Sequence, residues 1–361
     1  MKREVVIIGA GPAGLAAAIE ATKNGCQVLL VDENRTAGGQ FFKQLHKFFG
    51  SQAHSAGIRG FEIGKQLLKE TEELGVEVWL ESSVIGIFAG KRVAVLRNGI
   101  TETVEAQSIL ICTGGAENPL RFPGWTYPGV MGAGAAQTMV NVNRVLPGKR
   151  ILMIGSGNVG VIVAYQLLQA AADVVGIVEG MPRIGAYGVH AAKLKRAGVP
   201  FFIGHTIAEA RGSDRVEEAV IARFENGQIL KGTERKIDVD TICVAVGLRP
   251  LSELAQMAGV KHGFIPELGG FMPIHNADME TSVEGIYVAG DTAGVEEAST
   301  AMDEGRLAAV SVSCALGHLN RADAEQKKEE IRDRLASLRQ GPFGERRMNA
   351  KNRVIEMGVT M

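Results

Sequence analysis

Hydrophobic and polar positions along the first 31 residues form one continuous pattern. An apolar strand over residues 4–8 leads into a glycine-rich turn, an alanine-rich helix over residues 15–24 follows, and a second apolar strand covers residues 27–31. Short apolar runs separated by a helical period are typical of parallel strands joined by a crossover helix. The N-terminal segment therefore predicts a βαβ unit.

The same pattern recurs once, in the middle of the chain. An apolar run over residues 150–154 precedes a second glycine-rich turn, a helix over residues 161–171 and a strand over residues 174–178. This recurrence predicts two dinucleotide-binding folds in one chain. Elsewhere the pattern predicts a helix over 58–74, a small antiparallel layer of strands over 76–80, 84–88 and 92–96, buried strands over 108–112, 241–246 and 286–289, and a helix over 298–316.

Proline and glycine mark two places where the chain would cross between domains. One is residues 118–134, and the other is Gly247-Leu248-Arg249-Pro250. We therefore predict an α/β chain with two Rossmann-like, three-layer dinucleotide-binding domains, the second inserted into the first. The expected boundaries are residues 1–118 and 249–320 for the first domain, residues 119–248 for the second, and residues 321–361 for a C-terminal helical tail.

The tail has few apolar residues, but these are regularly spaced. Ile331, Leu335 and Leu338 recur at helical spacing and form one apolar stripe, and Gly341–Gly344 predicts a break. A helix with so thin an apolar face draws its stability from packing on something else. It either folds back on its own domain or docks on a partner subunit, and the sequence leaves both alternatives open.

Composition and charge exclude several classes of protein. The 39 Lys and Arg residues balance the 40 Asp and Glu residues to a net charge of −1, which provides no field for holding a nucleic acid. The first residues contain no secretory signal, and no apolar run reaches the ~20 residues of a membrane span, so we expect a cytoplasmic protein. The 46 glycines are about twice the usual share and indicate tight turns and close approaches to ligands.

Cysteines and histidines form no recognisable metal or dithiol spacing. The cysteines lie too far apart for a zinc, iron–sulfur or C-x-x-C pattern, and we expect all four as buried small hydrophobes: Cys26, Cys112, Cys243 and Cys314. Four histidines also share no ligand spacing, and we expect them on the surface or in loops: His46, His54, His190 and His205. We therefore predict no metal site.

The first glycine-rich turn, Gly9-Ala10-Gly11-Pro12-Ala13-Gly14, has the spacing of a dinucleotide-binding turn. Its first glycine makes the turn after the strand, its second lets the backbone approach a pyrophosphate, and its third lets the helix pack on the strand. The helix N-terminus then presents unpaired N–H groups to the phosphates. Asp32, followed by Glu33 at the end of the second strand, can accept hydrogen bonds from ribose hydroxyls.

The second glycine-rich turn, Gly155-Ser156-Gly157-Asn158-Val159-Gly160, has the same spacing. Glu179 ends the following strand and favours NAD over NADP, because a carboxylate repels a 2′-phosphate. Such folds also persist as structural domains after losing a nucleotide. Whether this site is occupied or vestigial therefore stays open. The candidates are Gly155, Gly157, Asn158, Val159, Gly160 and Glu179.

Two dinucleotide folds, one inserted into the other, resemble the FAD/NAD(P)-dependent oxidoreductases with two dinucleotide-binding domains. Three separated signatures carry this resemblance: Gly9–Gly14, Thr113-Gly114, and residues 281–291, which read Thr-Ser-Val-Glu-Gly-Ile-Tyr-Val-Ala-Gly-Asp. The resemblance implies that the first fold binds FAD and that Asp291 accepts a hydrogen bond from a ribityl hydroxyl. It also implies that the helix beginning near Glu297-Ala298 directs its N-terminus at the flavin pyrimidine edge.

The thioredoxin reductase-like branch of that superfamily has a redox disulfide just after a Gly-Val near the start of the inserted domain. This chain reads Gly129-Val130-Met131-Gly132-Ala133-Gly134-Ala135-Ala136, with alanines at the positions of the cysteines. The resemblance therefore implies that electrons leave the flavin without dithiol chemistry.

A closer resemblance is carried by Gly38-Gly39-Gln40 and by Phe122-Pro123-Gly124-Trp125-Thr126-Tyr127-Pro128-Gly129-Val130-Met131, which runs into Gly134-Ala135-Ala136-Gln137. These blocks resemble the alpha or large subunits of heteromeric amine and amino-acid dehydrogenases: sarcosine oxidase, dye-linked proline dehydrogenase, opine oxidase and hydrogen cyanide synthase. The cofactor-binding candidates of the first fold are Gly9, Gly11, Pro12, Ala13, Gly14, Asp32, Glu33, Gly39, Gln40, Val84, Thr113, Gly114, Gly290, Asp291, Glu297 and Ala298.

The resemblance implies an FAD-dependent oxidoreductase subunit in a hetero-oligomer. It would transfer electrons between a nicotinamide nucleotide or a second flavin and a partner dehydrogenase subunit that oxidises a small amino acid or secondary amine, of the proline, hydroxyproline, sarcosine or opine class. A small iron–sulfur subunit and an FMN at a subunit interface are further expectations. The flavin is the reactive group, so no acid–base residue is assigned. A self-contained NADH:acceptor flavin oxidoreductase and a non-catalytic nucleotide-binding subunit stay open as alternatives.

Overall fold

The computed structural model describes residues 1–48 and 52–359. The strands in those residues are, in chain order, β1 (Lys2–Ile8), β2 (Val28–Val31), β3 (Glu77–Trp79), β4 (Ser82–Phe88), β5 (Arg92–Arg97), β6 (Ile100–Ile111), β7 (Gly115–Glu117), β8 (Val130–Gly132), β9 (Arg150–Ile154), β10 (Asp173–Glu179), β11 (Phe201–Ile203), β12 (His205–Gly212), β13 (Val216–Glu225), β14 (Gln228–Ile229), β15 (Arg235–Asp238), β16 (Thr241–Val244), β17 (Leu248–Pro250), β18 (His262–Ile265), β19 (Gly270–Pro273) and β20 (Ile286–Val288). The α-helices are α1 (Pro12–Lys23), α2 (Gly60–Glu73), α3 (Ala133–Asn141), α4 (Asn158–Gln169), α5 (Gly188–Arg196), α6 (Glu253–Met257), α7 (Ala298–Ala315), α8 (Arg321–Leu338) and α9 (Gly341–Val359).

The chain separates into two compact units. Unit 1 comprises Met1–Ala116 together with the chain from Leu248 onward, and unit 2 comprises Glu117–Gly247. The two ends of unit 2 meet, because the Asn118 amide donates a hydrogen bond to the Gly247 carbonyl at 2.9 Å. Each unit contains a parallel βαβ arrangement, which confirms the predicted α/β class with two Rossmann-like folds.

Unit 1 is built on a sheet in the order β3-β2-β1-β6-β5-β4, with β20 also paired to β6. β1 lies parallel to β2 and β6, so that Val5 is opposite Val28 and Ser108. The apolar runs of these strands are buried, as is typical of parallel strands in α/β folds. Helices α1 and α7 pack closely, because a Cβ on Gly305 would overlap the Ala13 carbonyl.

Two strands of unit 1 differ from the prediction. The strand predicted over 76–80 is not part of an antiparallel layer: β3 lies parallel to β2 and extends the main sheet. The strand predicted over 108–112 is longer, because β6 begins at Ile100 and its first half pairs antiparallel with β5. That half alternates exposed and buried side chains with a period of two, so it contains no continuous apolar run in the sequence.

Unit 2 has a parallel sheet in the order β11-β10-β9-β16-β8. A second, antiparallel layer pairs β13 with β12, β14 and β15. The sequence did not predict this layer, because its strands carry many exposed charged side chains and few long apolar runs. Side chains of both layers, including Ile154, Ile207 and Ile221, share one hydrophobic core.

The C-terminal tail folds back on unit 1, which is one of the two alternatives that the sequence left open. Ile331 and Leu335 of α8 lie in the main core of this unit, while Leu338 is half-buried. Ala350 of α9 packs in a smaller core with Met272 of β19. The last two residues of the tail lie outside the described residues.

The break in the tail lies at residues 339–340 rather than at Gly341–Gly344. Gly341, with φ +77°, has a positive φ that glycine adopts readily, and it is the first residue of α9. Gly344 lies inside α9, where a Cβ would overlap the backbone of Arg339. Over residues 1–48 and 52–359, no helix combines the length and the apolar composition that crossing a bilayer requires.

Candidate functional site

The glycines of the first turn have three different surroundings. A Cβ on Gly9 would overlap the Cys112 carbonyl, and a Cβ on Gly14 would overlap the Gly9 carbonyl. Beyond its chain neighbours, a Cβ on Gly11 would meet no atom of residues 1–48 and 52–359 within 4 Å. The first and third glycines are therefore required by packing, whereas the second faces open space at the N-terminus of α1. This cradle fits a pyrophosphate, whose oxygens would meet the unpaired N–H groups of the helix.

The Asp32 carboxylate holds the first turn in place. It is buried and accepts hydrogen bonds from the Ala10 amide at 2.6 Å and from the Asn34 amide and side chain, each at 2.8 Å. A carboxylate has about four lone-pair sites, so Asp32 retains capacity for a ribose hydroxyl. Glu33 is exposed.

The three signatures of the first fold meet in space. Thr113 and Gly114 contact Thr292, the residue after Asp291: the Thr113 and Thr292 hydroxyls lie 3.1 Å apart, and the Gly114 amide donates to Thr292 Oγ1 at 2.8 Å. The third signature also reaches the first turn, because a Cβ on Gly290 would lie 2.9 Å from Ala13 Cβ. The structure therefore brings together residues that are separated by most of the chain.

Two further sequence candidates, Gly39 and Gln40, follow Gly38, whose amide donates to the Ala10 carbonyl at 2.7 Å. A Cβ on Gly39 would lie 2.9 Å from Gly11 Cα, so this loop closes against the first turn beside Pro12. Gln40 is exposed.

Val84 lies on β4, half-buried and paired with Val95. The start of β4 is next to Asp32, because the Ser82 amide donates to the Asp32 carbonyl at 3.0 Å. Val84 therefore belongs to the same edge of unit 1 as the carboxylate.

The segment from Gly290 to Ala298 connects β20 to α7. Burial raises the pKa of Asp291 to about 6, and the nearby carboxylates of Glu304 and Glu296 raise it further. The Glu296 amide, which donates a hydrogen bond to Asp291 Oδ1, lowers this pKa, and so does the Lys351 cation. Glu297 is the N-cap of α7 and forms an ion pair with Arg347. Ala298 is the first residue of α7, as expected.

The second turn repeats the geometry of the first. A Cβ on Gly155 would overlap the Ala245 carbonyl, and a Cβ on Gly160 would overlap the Gly155 carbonyl. In the part of the chain that the structure describes, a Cβ on Gly157 would meet no atom within 4 Å other than those of its chain neighbours. The N-terminus of α4 is therefore open to a phosphate in the same way as that of α1.

Side chains around the second turn are also held by hydrogen bonds. Glu179 Oε2 accepts from the Ser156 amide at 2.9 Å and from the Ser156 hydroxyl at 2.5 Å, and Glu179 Oε1 accepts from the Met181 amide at 2.8 Å. The Asn158 side chain accepts from the Tyr187 amide at 3.0 Å. Val159, in the first turn of α4, is exposed.

Alanines occupy the two positions where the thioredoxin reductase-like branch has its redox cysteines. Ala133 and Ala136 are buried in the core of unit 2, and the Glu117 carboxylate accepts from the Gly134 amide at 2.7 Å. No cysteine of the described residues is in a disulfide, as the sequence predicted. Cys26, Cys112 and Cys243 are buried, whereas Cys314 is only half-buried and corrects that part of the prediction.

The sequence did not identify a buried charge network that the tail forms with α7. Arg339 donates to Glu296 at 2.7 and 2.9 Å and to Glu304 at 2.7 Å. Lys351 Nζ lies 2.6 Å from Glu304 Oε1 and donates to the Ala293 carbonyl at 2.8 Å. In a sequence, basic residues on a mixed-charge helix cannot be distinguished from solvent-exposed ones. The network becomes visible only when the fold shows that these side chains are buried.

A second buried cluster surrounds Asp303. His54 Nε2 lies 2.8 Å from this carboxylate, and Arg306 and Arg334 donate to it at 2.7 and 3.1 Å. Burial opposes the ionisation of Asp303, but these hydrogen bonds outweigh it and hold the pKa of Asp303 well below its usual range. His54 is thus not a surface histidine, and His190 is buried as well. Both correct the expectation from spacing alone.

Comparisons with known proteins agree with this architecture. The model of a protein family described as pyridine nucleotide-disulphide oxidoreductase matches residues 3–305. Thioredoxin reductase of T. acidophilum has a similar fold, with a TM-score of 0.71 and 23% identity over 87% of this chain and 99% of that chain. The family assignment confirms the predicted oxidoreductase class and its FAD and nicotinamide-nucleotide folds.

Two relatives are similar over nearly the whole chain. An opine oxidase subunit of Agrobacterium tumefaciens is 29% identical over 358 residues, which cover 93% of this chain and 70% of that relative. The HcnB subunit of hydrogen cyanide synthase from Pseudomonas protegens is 29% identical over 359 residues, which cover 94% of this chain and 76% of that relative. These findings confirm the resemblance to subunits of heteromeric oxidases and synthases.

Proposed function

The chain belongs to the pyridine nucleotide-disulphide oxidoreductase family, and on that premise we propose that it is the FAD-bearing electron-transfer subunit of a hetero-oligomeric dehydrogenase. Its partner subunit would oxidise a small amino acid or secondary amine, of the proline, hydroxyproline, sarcosine or opine class. The electrons would pass between that partner and a nicotinamide nucleotide or a second flavin.

The observation that carries the FAD assignment is the convergence of distant segments on one open glycine turn. Apart from the chain neighbours of Gly11, no atom of the described residues lies within 4 Å of the position that its Cβ would take, while Asp32, Gly114 and Thr292 are already held by hydrogen bonds. Bound FAD would supply the redox chemistry, taking up electrons from one side and releasing them to the other.

Each candidate residue of the first site has a separate task in this proposal. The turn around Gly11 and the N-terminus of α1 hold the pyrophosphate, and Asp32 accepts from the ribose. Asp291 accepts from a ribityl hydroxyl. The N-terminus of α7 favours negative charge on the flavin pyrimidine edge.

The second site is proposed to bind NAD(H). Its glycine turn is open at Gly157, and Glu179 would disfavour a 2′-phosphate through charge repulsion. The residues proposed to hold the dinucleotide are Gly155, Gly157, Asn158, Val159, Gly160 and Glu179.

The hetero-oligomer is supported by the names of the relatives, which are subunits of opine oxidase and hydrogen cyanide synthase. An FMN shared with the partner would be the second flavin, and a small iron–sulfur subunit would be the exit for single electrons. These partners and the cytoplasmic location stay predictions.

Affinity purification of the tagged chain from its source cells, together with the proteins that co-purify, tests the proposal. We expect a yellow complex whose flavin is bleached anaerobically by one amine or amino acid from a panel of proline, hydroxyproline, sarcosine and opines. A chain that purifies alone, colourless and without bound FAD would contradict it.

An NADH:acceptor flavin oxidoreductase is the second candidate, because both glycine turns are open in one chain. In that case the isolated chain would be bleached by NADH and reoxidised by a dye without a partner subunit. If the isolated chain holds nucleotides but neither donor bleaches it, the non-catalytic alternative is favoured.

A further inference from the structure

The two C-terminal helices contact the segment that the proposed function assigns to the flavin. This segment, residues 290–298, is here called the flavin segment. Basic side chains from the end of α8 and from α9 reach it or the first turns of α7, and all are paired with carboxylates: Arg334, Arg339, Arg347 and Lys351.

The contacts fix the flavin segment at both ends and in the middle. Glu304 Oε2 accepts from the Gly290 amide at 3.1 Å, and Lys351 holds both Glu304 and the Ala293 carbonyl. At the far end, Arg339 holds Glu296, and Arg347 holds Glu297. The conformation of the segment therefore depends on side chains that lie outside residues 1–320.

The charges in this network are deeply buried. The exposed fractions are 1% for Lys351, 2% for Glu304 and 8% for Arg339. Three carboxylates, those of Asp291, Glu296 and Glu304, face two cations. A buried carboxylate that loses its cationic partner strongly destabilises the fold. As long as the carboxylates are present, the fold of this region therefore depends on the two cations.

We propose that α8 and α9 complete the flavin site, with Arg339 and Lys351 as positioning residues that fix the flavin segment and set the charge around Asp291. This inference rests on the proposed FAD assignment. It gives the tail a role in cofactor binding rather than in docking a partner.

The charge around Asp291 makes the inference testable by pH. The groups that face Asp291 are Glu296 on its own segment, Glu304 on α7 and Lys351 on α9, and Arg339 bonds both glutamates. Burial, with Lys351 nearby, lowers the pKa of His275 to about 3, so this neighbour is neutral.

Asp291 accepts from the ribityl chain most strongly when ionised, and its pKa is about 6. FAD affinity is therefore expected to fall as the pH drops through about 6. Removing the Lys351 cation raises the pKa of Asp291 and moves this fall to higher pH, whereas removing the Glu304 anion moves it to lower pH.

The experiment compares Lys351→Met and Glu304→Gln with Arg353→Met in the full-length chain. Arg353 is also on α9, but its ion pair is with Glu267 and not with a carboxylate of the flavin segment or of α7. We expect Lys351→Met to weaken FAD binding at pH 7 by about tenfold and to raise the pH midpoint, and Glu304→Gln to lower that midpoint. The FAD affinity of Arg353→Met should stay within about twofold of wild type.

The measurements are fluorescence titration of FAD from pH 5 to 8 and the midpoint potential of the bound flavin, which should become more negative in Lys351→Met.

Opposite shifts of the pH midpoint are the decisive result, because a merely structural role would weaken binding in both variants without reversing the shift. Equal midpoints in wild type, Glu304→Gln and Arg353→Met would overturn the inference, even if Lys351→Met does not fold. A wild-type chain that binds no FAD would instead overturn the proposed function, so the two failures are distinguishable.

Discussion

The two glycine turns of this chain have nearly the same backbone and different surroundings. The Gly9 amide donates to the Val31 carbonyl at 2.8 Å, and the Gly155 amide donates to the Val178 carbonyl at 2.7 Å. In each turn a carboxylate at the end of the next strand accepts the amide that follows the first glycine. These shared features are local, and they follow directly from the motif.

The surroundings differ in which distant segments take part. The first turn is contacted by the loop at Gly39 and by Gly290, and Gly290 is in turn bonded to Glu304 within the charge network of the tail. The second turn is contacted by Glu179 and by the loop at Gly185, whose amide donates to Ser156 Oγ at 2.9 Å, and both belong to unit 2. The comparison suggests that the motif provides a phosphate cradle, whereas the distant contacts determine how firmly a cofactor is held.

We expect the largest effect from removing the tail, and we expect it to affect the unit that contains the first turn but not the unit that contains the second. Truncation after Asn320 exposes the core contacts of Ile331 and Leu335 and leaves Glu296 and Glu304 without buried cations. Breaking a buried ion pair costs about 3–5 kcal/mol, so unit 1 should unfold or lose FAD while the fold of unit 2 persists. Calorimetry and limited proteolysis check this.

A chain that ends at Gln340 is the matched control for that truncation, because it keeps α8 and Arg339. It should be affected less than the chain that ends at Asn320. If the shorter chain unfolds at the same temperature as wild type and keeps its FAD, the tail does not support the first turn.

The second-largest effect is expected from valine at the open glycine of each turn. Gly11→Val should abolish FAD binding without unfolding the chain, because its Cβ has open space among the described residues and the backbone (φ −79°, ψ −169°) suits any residue. Gly157→Val should instead leave the flavin bound and abolish bleaching by NADH. Absorbance at 450 nm and circular dichroism check both variants.

Gly14→Val provides the contrast within the same turn. Its side chain would overlap the Gly9 carbonyl, so this variant should not fold. A folded, fully yellow Gly11→Val protein would show that the first turn does not hold the pyrophosphate.

A smaller effect is expected at the carboxylate of the second turn. Wild type should be reduced faster by NADH than by NADPH, and Glu179→Gln should narrow this preference by about tenfold, because the charge that repels the 2′-phosphate is lost. Stopped-flow reduction at low nucleotide concentration measures the ratio. Equal rates with both nucleotides in wild type would contradict the assignment.

The smallest effect is expected from thiol alkylation, because neither turn uses a cysteine. Burial raises the pKa of Cys243 to about 12, and burial also raises the pKa of Cys112, so these thiols stay protonated and unreactive. Treatment with a maleimide should change the rate of flavin reduction by less than about twofold. A large loss of activity in folded, flavin-loaded protein would imply a thiol in the electron path.

Residues close together in sequence were predicted well. The apolar strands, the two glycine turns and the helix that begins at Ala298 follow from periodicity and from glycine spacing, which depend on neighbouring residues only. The three-residue strand β3 was assigned to the wrong layer, because so short a run carries no information about its pairing partner.

Side-chain partners that are distant in sequence could not be predicted. Arg339 and Lys351 stand on helices whose charge pattern is equally compatible with solvent, and only the fold brings Glu296 and Glu304 to them. His54 is similar, because its partner Asp303 lies on another element and no local motif links the two. The sequence therefore reveals the cradle of the site but not the charges that support it.

The hydrogen bond between Asn118 and Gly247 bears on the entropic cost of inserting unit 2 into unit 1. The Asn118 amide nitrogen and the Gly247 carbonyl oxygen, at the two ends of unit 2, lie 2.9 Å apart. The chain of unit 1 therefore leaves and returns at nearly the same point, as it would at a hairpin turn. The entropy of closing a loop grows only with the logarithm of its length, so a long insertion costs a host fold little more than a short one. Replacing unit 2 by a short turn at this point is therefore expected to change the loop-closure entropy of unit 1 only slightly.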